Sequence, residues 1–310
     1  MNPLAAYATL LVIGATWGLT TPLIKIATGA GHQASGIALW HVVINLLLMG
    51  SFLALTGRLR GLPRDAASLR LYAVFGLLGI ALPQWASYSA TTHLPAGITS
   101  IIVSLVPILA LPLALAIGTE RFSARRMLGV VLGAAAIVLI AAPGAGSLPA
   151  PELWVWVLVA ALAPLFYAIE GAVVSASRAP GADPFQLLWG ASLVALVVLV
   201  PINLALGSAS SPLTRPEGFA PLIAAGVLTM AAFTGYIHVL RRCGAVFGAQ
   251  VAYLVTGAGV IWAMVLLGER YPPVVWLALA LLFAGLFMVQ PRPRLLPLPQ
   301  TQPETGHVRP

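Results

Sequence analysis

Residues 117–126 read IGTERFSARR and residues 266–275 read LLGERYPPVV. Each stretch sets a Glu-Arg-aromatic triplet, Glu120-Arg121-Phe122 and Glu269-Arg270-Tyr271, directly after a long apolar run. The triplets stand 149 residues apart in a chain of 310, of which 60% is hydrophobic and 8% charged. In so uncharged a sequence, a repeated acid–base pair points to two homologous halves. The same shift aligns Ala96 with Ala245 and Ala135 with Ala284.

The composition fixes the solvent. Soluble domains run at roughly 45–50% apolar and about 25% charged residues. This chain departs from both, and its mean hydropathy is +0.97. It reads as an all-α, polytopic membrane protein. The net charge of +8 does not read as a nucleic-acid surface, because the basic residues fall in short breaks between apolar runs with no interleaved aromatics. The single cysteine, Cys243, excludes an intramolecular disulfide and argues against thiolate zinc. The opening MNPLAAYATL lacks a basic region and a cleavage site, so a retained first helix is expected.

A helix needs roughly 20 apolar residues to cross a hydrocarbon core. By that measure spans are predicted near 4–27, 34–56, 69–92, 95–118, 125–142, 152–177, 184–206, 217–240, 245–267 and 273–290. The breaks between them carry Gly57-Arg58, Pro63, Pro143-Gly144, Pro180-Gly181, Ser210-Ser211-Pro212 and Pro272-Pro273. Residues 291–310, Pro-rich and polar, are expected to form a disordered cytoplasmic tail.

With the N-terminus inside, 13 of the 16 basic residues face the cytoplasm. They are Arg58, Arg60, Arg64, Arg70, Arg121, Arg125, Arg126, Arg178, Arg241, Arg242, Arg292, Arg294 and Arg309. Only Lys25, Arg215 and Arg270 fall outside. This matches the positive-inside rule for ten spans with both termini cytoplasmic, whereas nine or eleven would break the alternation. Each triplet then follows the fourth helix of its half. Five helices per half is an odd number, so the second half enters the membrane in the opposite sense. Residues 1–145 and 146–290 are therefore expected to be inverted five-helix repeats, an architecture that builds alternating gates around one central site.

Trp17-Gly18 with Pro22, and Pro95-Ala96-Gly97 followed by Pro107 and Glu120-Arg121, resemble the motifs of EamA-type transporters in the drug/metabolite transporter superfamily. The resemblance spans residues 4–290. In the second half Phe166 and Tyr167 stand where a tryptophan is common, and Gly244 stands where Pro95 would repeat. The resemblance implies export or exchange of a small metabolite across a bacterial inner membrane, with amino acids, including aromatic ones, prominent among the substrates.

No P-loop, HExxH or GxSxG sequence is present, and no cofactor or metal motif. Polar groups inside apolar spans carry a cost and by default face a bundle interior. The candidate substrate-binding residues are Trp17, Thr21, His41, Gln84, Tyr88, Ser104, Tyr167, Glu170, Gln250 and Tyr253. Glu170 is the one acid deep within a predicted helix, with Tyr167 one turn before it. It suits a proton site, a substrate-ammonium site or a neutral structural acid. His41 lies one turn before Asn45 and reads as a titrating, orienting or packing group. Gln84 and Tyr88 share a helix face beside Pro83. Trp17, Tyr88, Tyr167 and Tyr253 form a hypothetical ring around Gln84, Ser104 and Glu170, suited to a small zwitterion with an apolar side chain.

Pro22, Pro83, Pro107 and Pro164 are candidate hinges, with Pro112. The Glu120-Arg121 and Glu269-Arg270 pairs read either as helix-end caps and salt bridges or as gates. The expected partners are a small-molecule substrate and membrane lipids, with proton coupling and the choice of monomer or homodimer left open. A lipid-modifying membrane enzyme and a non-transporting partner protein are the rival readings. The first lacks a carboxylate cluster; the second has no need of polar groups at mid-depth.

Overall fold

The computed structural model describes residues 3–142, 146–176, 183–208 and 216–290. The breaks foreseen at Pro143-Gly144, Pro180-Gly181 and Ser210-Ser211-Pro212 lie outside the described residues. So do Arg178, Arg215, Arg292, Arg294, Arg309 and the tail 291–310.

The described chain is helical. In order come α1 (Pro3–Gly18), α2 (Thr20–Gly29), α3 (Ala34–Leu55), α4 (Ala66–Val74), a π segment (Phe75–Ala81) and α5 (Leu82–His93). They are followed by α6 (Ala96–Val103), α7 (Val106–Ala116), α8 (Ala124–Ala141), α9 (Trp154–Ala176) and α10 (Pro184–Leu206). The last are α11 (Phe219–Cys243), α12 (Ala245–Gly248), α13 (Val251–Leu267) and α14 (Pro273–Val289).

Among the described residues eight helical stretches are long and apolar enough to cross a membrane, and α13 and α14 are shorter apolar helices. At 1.5 Å per residue the latter two, of 17 residues each, reach about 26 Å. The protein is a multi-pass membrane protein.

Prolines shape the long spans. Pro22 has no N–H to offer the Gly18 carbonyl, and the helix steps at Leu19 between α1 and α2. Pro83 likewise cannot serve Gly79, and the chain before it takes the wider i→i+5 register over Phe75–Ala81. Pro107 leaves Val103 unserved, and α6 gives way to α7 at Ser104–Leu105. Pro164 lies within an unbroken α9. At helix starts, Asp65 accepts from the Ala67 and Ser68 amides and the Ser68 hydroxyl, a standard N-cap. Those hydrogen bonds, the Ser68 hydroxyl foremost, hold its carboxyl below the usual range.

Close approaches set the packing. A Cβ on Gly129 of α8 would fall 2.7 Å from the Gly285 carbonyl of α14, and the reverse holds equally. Gly18 meets the backbone of α13 in the same way, with Val255 O at 2.7 Å and Gly259 N at 2.8 Å from the would-be Cβ. Small residues let membrane helices approach this closely. Around these contacts α1 packs on α11 and α13, α9 on α5, α6 and α7, and α3 on α10 and α11. The span α4–π–α5 thus lies between α3, α9 and α10.

Candidate functional site

The densest polar surface is built on α5. Tyr88 reaches α3, where its hydroxyl sits 2.9 Å from His41 Nδ1. His41 is buried, with 2% of its surface exposed. If the Tyr88 hydroxyl donates to Nδ1, His41 carries its proton on Nε2, and Nε2 is buried with no partner among the described residues. Asn45 lies one turn further along α3, and Gln84 one turn before Tyr88. Their side-chain oxygens are also buried and unpartnered. An unpaired buried polar atom costs about 1–3 kcal/mol, so three on facing helices mark a place shaped for something the chain does not itself supply.

α5 also meets α9. Tyr167 lies within electrostatic reach of both Tyr88 and Glu170. Glu170, one turn on, lays its carboxylate over Gly79 in the π segment: a Cβ there would fall 2.6 Å from Oε2 and 3.1 Å from Oε1. Among the described residues the Glu170 side chain forms no ion pair or hydrogen bond. His41, Gln84, Tyr88, Tyr167 and Glu170 thus gather along one span. Asn45 and Gly79 belong with them although the sequence reading did not choose them. Asn45 carried a signal, its one-turn spacing from His41; Gly79 carried only its place four residues before Pro83.

The remaining candidates lie elsewhere. Trp17 meets Tyr236 of α11 edge-on, with ring centroids 5.9 Å apart, and Thr21 follows it one turn on in α2. Ser104 donates to the Ile101 carbonyl of its own helix at 2.7 Å. Gln250 and Tyr253 line a groove of ≈ 710 Å³ between α1, α13 and α14, with Tyr7, Leu11, Phe287 and Gln290. Tyr253 packs on Phe283 with ring centroids 5.6 Å apart, and its hydroxyl is buried with no partner among the described residues.

The two glutamates of the repeated triplets behave differently, and neither pairs with the arginine beside it. Glu269 reaches the start of α6: Oε1 accepts from the Ala96 amide at 2.7 Å and Oε2 from the Gly97 amide at 3.2 Å. Tyr271 donates its hydroxyl to the same carboxylate and accepts from the Gly97 amide at 3.1 Å. A carboxylate at a helix N-terminus satisfies free amides and complements the helix dipole. Burial first, then the hydrogen bond and charge of Glu269, push the Tyr271 hydroxyl above its ordinary value. It therefore remains a donor.

Nearby, Lys25 Nζ donates to the carbonyls of Thr91 at 2.7 Å and Leu94 at 2.9 Å, tying α2 to the end of α5. Glu120 instead takes Arg126 Nη1 at 2.8 Å, and Arg126 Nε holds the Val289 carbonyl at the end of α14 at 3.1 Å. Among the described residues Arg121 and Arg270 form no ion pair.

Comparison with known proteins places this geometry. The chain is 25% identical over 289 residues to a probable terminal-alkyne amino-acid exporter of Streptantibioticus cattleyicolor, a match covering 93% of this chain and 94% of that protein. A solved crystal structure shares its fold, with a TM-score of 0.60 at 18% identity over 91% of this chain and 97% of the other. The model of the EamA-like transporter family matches twice, over residues 4–142 and 154–290. These matches point to a transporter rather than an enzyme. With nearly all of its length accounted for by two copies of one family model, the chain belongs to the EamA-like transporter family.

Proposed function

We propose that the protein is a secondary transporter that exports or exchanges small amphipathic amino acids, apolar or aromatic in side chain, by alternating access. The observation that carries this reading is the double family match, one copy on each side of residue 146. The name of the Streptantibioticus relative supports amino acids as the substrate class. The polar surface around α5 supports a site at mid-depth.

We take the chain as ten spans in two inverted repeats, 1–145 and 146–290, in a bacterial inner membrane with both termini cytoplasmic. The packing supports a pseudo-twofold. Under a five-span exchange the contact of α1 with α13 becomes that of α9 with α6 and α7. The contact of α1 and α2 with α11 becomes that of α9 with α5. The pairs α3 with α10, and α8 with α14, map onto themselves.

In this frame Glu269 capping Ala96 is a latch at the outer end. Its counterpart would be Glu120 capping Ala245, since the same 149-residue shift relates both pairs. Here Glu120 is held by Arg126, and α12 is one short turn. Alternating access then exchanges one latch for the other, around a substrate resting between them.

The test is uptake of radiolabelled L-leucine, L-phenylalanine and L-propargylglycine into proteoliposomes, with and without a pH gradient. At least one should enter faster than into empty vesicles, and a gradient effect would establish proton coupling. Uptake at the empty-vesicle rate for all three would overturn the reading.

A further inference from the structure

The polar surface around α5 has two poles of opposite character. One pole is the Glu170 carboxyl group, without a protein partner among the described residues and set against Gly79. The other is the group His41 Nε2, Asn45 Oδ1 and Gln84 Oε1, each buried and without a partner among the described residues. α3 leads into the α4–π–α5 span through the short connection 56–65, so the two run in opposite senses. Stepping from His41 to Asn45 and from Tyr88 to Gln84 therefore moves the same way along the bundle. Asn45 and Gln84 come to the same level, one turn from the His41–Tyr88 hydrogen bond.

Gly79 and Gln84 are five residues apart on one span, about 7 Å along its axis. An α-ammonium carboxylate with one hydrogen bond at each end spans a comparable distance, about 8 Å. Tyr167 lies between the poles, within reach of Tyr88 and Glu170.

From this arrangement we propose that the site recognises an α-ammonium carboxylate as a dipole, with its ammonium on Glu170 and its carboxylate on His41 Nε2–H and the amides of Asn45 and Gln84. This rests on the transporter reading and adds which groups select the substrate. A side-chain amide turned by half a revolution presents NH₂ where it showed oxygen, at no steric cost. Asn45 and Gln84 can then both donate, together with the His41 Nε2 proton. Charge-assisted hydrogen bonds of this kind are roughly twice as strong as neutral ones. A site built to bond a polar group also rejects analogues that lack it, because its own buried groups are then left unpaired. Gly79 is needed because any larger residue would occupy the place of the carboxylate.

The experiment compares L-phenylalanine, 3-phenylpropionate (no amine) and phenethylamine (no carboxylate) as competitors of L-phenylalanine uptake, in wild-type protein and in Glu170→Gln and Asn45→Leu. Thermal unfolding checks that each variant folds. Wild type should prefer L-phenylalanine over either one-ended analogue by at least tenfold. Glu170→Gln should lose the preference over phenylpropionate, and Asn45→Leu the preference over phenethylamine. If wild type takes up L-phenylalanine but both folded variants keep both preferences, the assignment falls and the transporter reading stands. If wild type moves none of the amino acids, both fall.

Discussion

Glu269 and Ala96 are joined across the two halves of the chain by a 2.7 Å hydrogen bond from the Ala96 amide to Oε1. A residue of the second family match thus caps a helix of the first. The contact is non-local and lies at one end of the bundle, so breaking it should shift the balance between states rather than simply loosen a loop.

Glu269→Ala should cost about 1 kcal/mol as a lost N-cap and bias the protein toward the arrangement closed at the opposite end. Cys243, the lone cysteine, ends α11 beside Gly244 at that opposite end and is partly exposed. Its maleimide labelling should slow several-fold in the variant, since each 1.4 kcal/mol is a factor of ten. Labelling at the wild-type rate would sink the latch.

Tyr271→Phe should act in the same direction and by a similar amount, about 1 kcal/mol for one hydroxyl bonded on both sides. Its folded-state value is raised, so its contribution is complete below the ordinary tyrosine value of about 10 and is lost only as pH rises through the higher folded value. The Tyr271 contribution, read as the difference between wild type and Tyr271→Phe, should therefore be flat from about pH 6 to 9.5. Cys243 labelling, corrected for thiolate fraction, reads this directly, and a step within that window would count against it. Phe122, in the matching position, has no hydroxyl, so the Glu120 latch should be the weaker of the two.

The fold was legible because its signal is one of length and punctuation. Apolar runs at 34–56 and 184–206 became Ala34–Leu55 and Pro184–Leu206, since hydrocarbon thickness and Gly/Pro breaks dictate both. The partners of the glutamates were not legible. Adjacency suggested Glu120 with Arg121 and Glu269 with Arg270, yet consecutive residues splay apart, and the true partners lie six and 173 positions away. Nor does periodicity announce a π register; it follows from Pro83 together with the packing of α9 and α10. Within the site, Glu170 and Tyr88 stand out in the sequence by charge and aromatic character, while Gly79 shows its importance only through what it leaves empty.

Arg126→Met should free Glu120 to reach the start of α12. The pair is partly exposed, with 17% and 37% of the side chains accessible, so the direct loss is small, about 0–1 kcal/mol after solvent screening. Its effect on Cys243 should match that of Glu269→Ala: slower labelling, because closure at the Glu120 end is favoured. Faster labelling would mean that Arg126 itself closes that end.

Two glycines separate function from folding. At Gly79 the atoms nearest an added Cβ belong to the flexible end of Glu170, which can swing aside. At Gly18 they are the Val255 carbonyl and the Gly259 amide of α13, which cannot move without parting two helices. Gly79→Ala should therefore leave thermal stability nearly unchanged while amino-acid uptake falls at least tenfold. Gly18→Ala should lower stability by about 1–3 kcal/mol, the range for an overpacked contact. Unfolding temperature and proteoliposome uptake, measured on both variants, give a crossed pattern if the Glu170 carboxylate belongs to the site. Equal uptake in Gly79→Ala and wild type would show that transport does not need the Glu170 carboxyl group in its place against Gly79.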